Sequence, residues 1–381
     1  MSPAELSRRL RDRAREFGFD AVGIARASAL ERDGAALNRW LDAGQHGSMN
    51  WMERDPAQRA DPTRVLEGCR SVVALAMNYH TGSAGDPPAG SARVARYAHG
   101  RDYHKVMRKR TRALAEWLEA ETDGASRTFV DTGPVLERAW AEQAGIGWIG
   151  KNANLISRSL GSWLLLSEVL TTAELEVDDG PHDEFCGSCN ACIEACPTDA
   201  IVADGVVDSN RCISFWTIER RGEIDPALRN GIGDWIFGCD DCQTVCPWNL
   251  SFGVPREDDP FAFREDLRGL DPLEILAMDE STFRLRYSGT SLMRAKWEGM
   301  RRNAAVVLGN RRDPASIPAL GRALEDPDPT FRCHVIWALG EHDDPSSTSL
   351  LEGRIGGESD PSVRDEITAA LERIRRRGRN A

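Results

Sequence analysis

Eight of the ten cysteines in this 381-residue chain lie between Cys186 and Cys246, and their spacing limits what that stretch can become. The first run is Cys186-x2-Cys189-x2-Cys192-x3-Cys196 followed by Pro197; the second is Cys239-x2-Cys242-x3-Cys246 followed by Pro247. A short loop with two-residue gaps wraps three thiolates around one iron–sulfur cube, while the cysteine before proline reaches the neighbouring cube. The second run is one cysteine short, because Ile236 stands three residues before Cys239, and Cys212 makes up the deficit. The spacing predicts two [4Fe–4S] clusters. One takes Cys186, Cys189, Cys192 and Cys246; the other takes Cys196, Cys212, Cys239 and Cys242. Zinc ribbons also use C-x2-C pairs, but the triple run and its proline disfavour zinc. A chain so equipped moves electrons singly.

Thiols committed to reduced ligation point to a cytoplasmic setting. No apolar run has the length of a membrane span, and Arg8-Arg9 is followed by no apolar region of the kind an export signal needs. Cys69 and Cys333 stand apart and read as buried small hydrophobes. A net charge of −12 argues against unspecific nucleic-acid binding over the whole surface. It leaves room for a local basic face, since phosphate contacts act within a Debye length of about 10 Å. Four basic stretches qualify: Arg101 to Arg112, Arg220-Arg221, Arg294 to Arg312 and Arg373 to Arg379.

Three regions follow one another. Residues 1–175 read as an α/β domain, with a helix over Pro3 to Phe17 and strands at Ala21 to Ala25, Ser71 to Met77 and Thr128 to Val130. Helices are expected from Tyr103 to Thr122 and from Pro134 to near Gly145, a further strand at Trp163 to Leu170, and a mobile surface loop at Gly82 to Gly90. Residues 176–260 are a ferredoxin-like insert, with Phe215, Trp216, Trp235 and Phe237 as a water-excluding core. Residues 261–381 carry a repeat: Arg301, Arg332 and Arg364 recur at intervals of about 31, as do Leu308, Leu339 and Leu371, punctuated by Asp-Pro turns. Short helix pairs of the HEAT type repeat in this way. The repeated arginines make that stack a candidate phosphate-binding face, or equally tie one repeat to the next.

In the segment Thr128 to Ile156, Asp131 follows a strand, and Gly133-Pro134 is expected to launch a helix. A strand tip over a helix N-terminus is where α/β domains hold ligands, although an aspartate there is equally a helix cap. The glycine-rich Gly145 to Lys151 follows a helix and matches neither phosphate-loop template.

The motifs together resemble epoxyqueuosine reductase over nearly the whole length. They are Phe19 to Ala25, His46-Gly47-Ser48-Met49, Arg96 to Lys105, Asp131-Thr132-Gly133-Pro134, Gly145-Ile146-Gly147, Gly150-Lys151-Asn152, both cysteine runs, and Cys246-Pro247-Trp248-Asn249. The resemblance implies an α+β multidomain enzyme: an N-terminal α/β cobalamin-binding domain, a ferredoxin-like two-cluster domain and C-terminal HEAT-like repeats. It implies that epoxyqueuosine at the wobble base of tRNA is reduced to queuosine, with the residue matching Asp131 as proton donor. Removing the epoxide oxygen as water takes two electrons and two protons, and the acid needs a raised pKa through burial. Arg59, Tyr103, His104, Lys151, Asn152 and Asn154 join Asp131 as expected cofactor contacts. No Asp-x-His-x-x-Gly occurs, so no histidine is marked as a lower ligand to cobalt. The expected partners are the anticodon stem-loop and an external electron donor such as a flavodoxin or ferredoxin system, for a cytoplasmic monomer without membrane attachment.

Two other classes fit part of the pattern. A corrinoid reductive dehalogenase pairs such clusters with a corrin, but such enzymes are typically exported and lack the repeats. An electron-transfer adaptor leaves the N-terminal domain and Asp131 without a role.

Overall fold

The computed structural model describes residues 1–82, 87–256 and 258–380, so the middle of the expected Gly82–Gly90 loop, residues 83–86, lies outside the described residues. The chain forms two compact units, each assembled from three separate segments. The first takes Met1–Ser83, Arg101–Asn210 and Asp240–Phe263; the second takes Ala84–Gly100, Arg211–Cys239 and Arg264–Ala381.

The first unit is built on a four-stranded sheet of β1 (Ala21–Arg26), β2 (Ser71–Asn78), β3 (Ser126–Phe129) and β4 (Leu164–Thr171). Its order is β1-β2-β4-β3, with every neighbouring pair antiparallel. Strand β2 reads SVVALAMN and is buried at all eight positions, as a strand covered on both faces must be. On one face α1 (Pro3–Glu16) and α2 (Tyr103–Thr122) bring Leu6, Leu10, Met107 and Leu114 against Val73, Leu75 and Met77. On the other, α3 (Glu137–Gln143) brings Ala139 and Trp140 against Val72, Ala74 and Leu170. Each such side chain contributes about 1.5–3 kcal/mol when fully buried.

The helix expected from Pro134 begins at Glu137 instead, after Leu136. Asp131 has a left-handed backbone (φ 58°), and the chain needs residues 132–136 to recover from that turn before helical geometry can start. Asp131 therefore sits in a loop between an antiparallel strand and a helix, not at the tip of a parallel strand.

In the second unit, short strands Ala92–Val94, Trp235–Phe237 and Gly269–Leu270 form a small sheet. The repeat helices are α4 (Lys296–Arg311), α5 (Ile317–Ala323), α6 (Pro329–Glu341), α7 (Pro345–Ile355) and α8 (Pro361–Asn380). Asp328 and Asp344 cap α6 and α7 with proline at the first helical position, the favoured arrangement. Successive repeats approach closely at Gly309 and Gly340. A Cβ at Gly309 would stand 2.6 Å from the Trp337 ring, and one at Gly340 2.7 Å from the Ala370 Cβ.

The repeated arginines do not form a free face. Arg301 donates to Asp326 (2.7 Å) and to the Leu276 carbonyl, Arg332 to Glu358 (2.9 Å), and Arg364 to the Glu358 carbonyl. Arg301 and Arg332 are largely buried, so their periodicity ties one repeat to the next. No helix among the described residues is long and apolar enough to cross a membrane.

Candidate functional site

Asp131 lies where three carboxylates and a histidine meet. Its side chain is 55% exposed, and Oδ2 is 3.1 Å from His104 Nε2. The other ring nitrogen, Nδ1, is 2.7 Å from Asp102 Oδ1. Asp102 is also the N-cap of α2, accepting from the His104 N–H at 3.1 Å. One aspartate thus fixes both the start of the helix and the orientation of the imidazole. Burial works against charge on His104, but hydrogen bonds to Asp102 and Asp131 outweigh it and raise its pKa to about 9. At neutral pH the ring is an imidazolium, and the pair His104–Asp131 carries one proton.

The carboxylate is accessible, on a left-handed backbone, with the charged ring beside it. Two contacts hold the loop. Glu137 Oε1 accepts from the Asp131 N–H, and Arg59 Nη1 donates to the Gly133 carbonyl at 3.3 Å. Arg59 Nη2 donates to the Trp51 carbonyl, while its buried Nε meets no partner among the described residues. Tyr103 stacks on His104, with centroids 4.1 Å apart.

The first cysteine set gathers inside the first unit. Burial, then Cys186, Cys246 and Cys189, push the Cys192 thiol up, so these four thiols lie within electrostatic reach of one another. Cys186 and Cys246 pack on one apolar cluster with Trp148, Ile156 and Trp248. Trp148 is edge-on to Trp248 (4.9 Å) and to Phe185 (5.2 Å), an aromatic wall that no spacing in the sequence marks. Asn249 clamps the loop, accepting from Ser162 N–H (2.6 Å) and donating to the Gln243 carbonyl (2.7 Å). Cys196 Sγ accepts from the Ala200 N–H at 3.2 Å.

Lys151 and Asn152 support these loops. Lys151 Nζ donates to Asn190 Oδ1 (3.0 Å), and buried Asn152 donates to the Cys242 carbonyl (3.3 Å) while accepting from the Asn154 N–H. Lys151 and Asn152 thus each touch a cysteine loop.

In the second unit, Cys212 precedes a single π-helical turn, Phe215–Glu219, and Cys239 follows the strand Trp235–Phe237. The turn meets the end of that strand, for Gly238 N–H donates to Thr217 Oγ1 at 2.9 Å. Phe215, Trp216, Trp235 and Phe237 are all buried, and so is Ile236, which belongs to the core at the position where a cysteine is missing. Arg302 and Asn303 of α4 fasten this region: Arg302 donates to the Trp216 carbonyl (2.6 Å), Asn303 to the carbonyls of Thr217 and Ile236. Arg302 is one of the basic residues considered for phosphate, and it is buried here instead. Among the described residues no three His, Cys, Asp or Glu side chains converge on a single-ion site.

Comparison with known proteins agrees across the chain. The family model "Epoxyqueuosine reductase QueG, DUF1730" matches residues 59–132, a "4Fe-4S double cluster binding domain" residues 185–249, and "HEAT repeats" residues 291–372. The epoxyqueuosine reductase of Pseudomonas aeruginosa is 43% identical over 349 residues, covering 89% of this chain and 95% of the relative. That of Gloeobacter violaceus is 45% identical over 312 residues, covering 80% of this chain and 97% of the relative. A crystal structure of epoxyqueuosine reductase with an epoxyqueuosine-modified tRNA-Tyr stem loop superposes with a TM-score of 0.91 at 30% identity, over 97% of this chain and 99% of that one. A Bacillus subtilis epoxyqueuosine reductase, with its catalytic aspartate loop swung out of the active site, gives 0.90 at 29%, over 97% of this chain and 99% of that one. With matches of this length and identity, and with two cysteine runs and the Asp131–His104 pair in one fold, the chain belongs to the epoxyqueuosine reductase family.

Proposed function

We propose that this protein reduces epoxyqueuosine to queuosine in the anticodon loop of tRNA, using two [4Fe–4S] clusters and a cobalamin. The observation that carries the reading is the exposed Asp131 carboxylate paired with a charged His104, in a chain that also carries two cysteine runs. The clusters would be held by the two sets of four cysteines read from the spacing. Three functional regions, 1–175, 176–260 and 261–381, divide the work into catalysis, electron delivery and scaffold.

The residues near Asp131 fit a corrin. Arg59 Nε is a buried donor without a protein partner among the described residues, and the Trp51 indole beside it is partly exposed, so a donor and an apolar surface lie together next to the loop. Arg59, Tyr103 and His104 are the residues that would meet the group; when bound, cobalamin supplies two-electron reducing chemistry to the substrate. The chain's own part is protonation. His104 Nε2 holds a proton against Asp131 Oδ2, which can relay it, and the open side of the carboxylate can face an epoxide oxygen. Two C–O bonds break, a C=C bond forms, and the oxygen leaves as water with two protons and two electrons. A tRNA stem-loop binds by its backbone, for which the exposed Lys105, Arg108 and Lys109 on α2 are suited. The electron donor is an external one-electron carrier, and the protein works as a cytoplasmic monomer.

The test is anaerobic incubation of the reconstituted, reduced protein with epoxyqueuosine-containing tRNA, followed by nucleoside mass spectrometry. Conversion to queuosine that requires added cobalamin supports the reading; conversion that is indifferent to cobalamin removes that cofactor from it. An unchanged nucleoside with both clusters and cobalamin loaded overturns the function.

A further inference from the structure

Glu168 lies in the middle of β4, between Phe129 on β3 and Ala74 on β2. It is fully buried, and neither carboxyl oxygen meets a hydrogen-bond partner among the described residues. Strand alternation puts its side chain on the same face as Leu164, Leu166 and Leu170, the face covered by α3. A bare carboxylate there carries a desolvation penalty of several kcal/mol. Burial first, then the nearby Glu137 and Asp131, raise its pKa well above the ordinary range, so it is neutral. Glu137, the first residue of α3, accepts from the Asp131 N–H. Burial and then the charge of Asp131 push Glu137 up to about 8. The charged groups facing it are Asp131, Arg138 and His104, and Arg138 is engaged with the Ala153 carbonyl.

We propose that Glu137 is the proton reservoir that reloads Asp131, in a three-carboxyl cluster that holds one negative charge and two protons. The inference rests on the assignment of Asp131 as the acid. Deoxygenation uses two protons, and the His104–Asp131 pair holds only one. After Asp131 gives that proton to the substrate oxygen, the proton of Glu137 passes to the Asp131 carboxylate. The negative charge moves to Glu137, and Asp131 delivers the second proton as the oxygen departs as water. Electrons come from the clusters and leave the proton count unchanged. Glu137 then regains its proton from solvent, which returns the cluster from two negative charges to one, and Glu168 stays protonated throughout. A glutamate that only clamped the loop would need no proton, and that difference is testable.

Infrared spectroscopy of the loaded enzyme in the absence of substrate should show two protonated-carboxyl bands at pH 7. One should titrate near pH 8 and vanish in Glu137→Gln; the other should persist after the first is lost and vanish in Glu168→Gln. Glu137→Gln keeps an oxygen that can accept from the Asp131 N–H, and should slow single turnover about 10²-fold at pH 7, the low end for loss of a general acid. It should also erase an alkaline limb near pH 8 in the rate profile. No titrating band, a normal rate in Glu137→Gln, or an equal slowing at every pH with the limb retained would each overturn the reservoir. Asp131→Asn turning over normally would instead overturn the assignment of the acid, and the infrared result would stand independently.

Discussion

His104 holds two carboxylates at once, and its protonation links the catalytic loop to stability. Its pKa is raised in the fold to about 9, from an unfolded value of about 6.5. The stabilisation is therefore fully present below about pH 6.5 and is lost as pH rises through about 9. Wild type should exceed His104→Gln in thermal stability by the widest margin near pH 6, with the margin narrowing between about pH 6.5 and 9; a margin constant across that range would mean the ring is not charged. Asp131 and the cysteines were legible in the sequence because chemistry restricts residue type and spacing at those places. The partner of Asp131 was not: the histidine that meets its carboxylate lies 27 residues earlier. Glu137 and Glu168 gave no signal either, since a glutamate at a helix start or in a strand has no distinctive spacing.

Among the elements, the cysteine loops carry the clearest expectation. Cys212 should complete the second set, because the π-helical turn after it touches Gly238, next to Cys239, and buried Ile236 excludes a ligand from the position of the missing cysteine. Cys212→Ala should lose about half the iron while the first set keeps its cluster; iron unchanged from wild type would refute the assignment. The strands and long helices were legible from periodicity, with α2 found over Tyr103–Thr122 as expected. The helix after Asp131 was placed early because Gly-Pro marks a permitted helix start without requiring one. The arginine repeat left two readings open for a related reason. Arginine at a fixed period serves a phosphate face and an internal tie equally well, and only Asp326 and Glu358 distinguish them.

For the molecule as a whole, the acidic balance is compatible with tRNA because many arginines are spent internally. Arg302 is buried, Arg311 pairs with Asp234, and Arg373 and Arg377 pair with Glu341, leaving α2 of the first unit as an exposed cationic helix. Lys105, Arg108 and Lys109 stand exposed on it. Reversing Lys105 and Arg108 to glutamate should weaken stem-loop binding, with iron content unchanged. Its salt dependence should flatten by roughly one unit of slope for each phosphate that is no longer neutralised. Unchanged affinity and slope would place the tRNA on another face.

The proposed acid for deoxygenation is the exposed Asp131 with its charged histidine partner. Single-turnover conversion of epoxyqueuosine in tRNA by Asp131→Asn, set beside wild type, tests this most directly. The amide keeps the size of the side chain but cannot carry the proton, so the variant should retain both clusters and cobalamin and convert about 10²- to 10⁴-fold more slowly. A variant loaded to the same extent and converting at the wild-type rate would contradict the account.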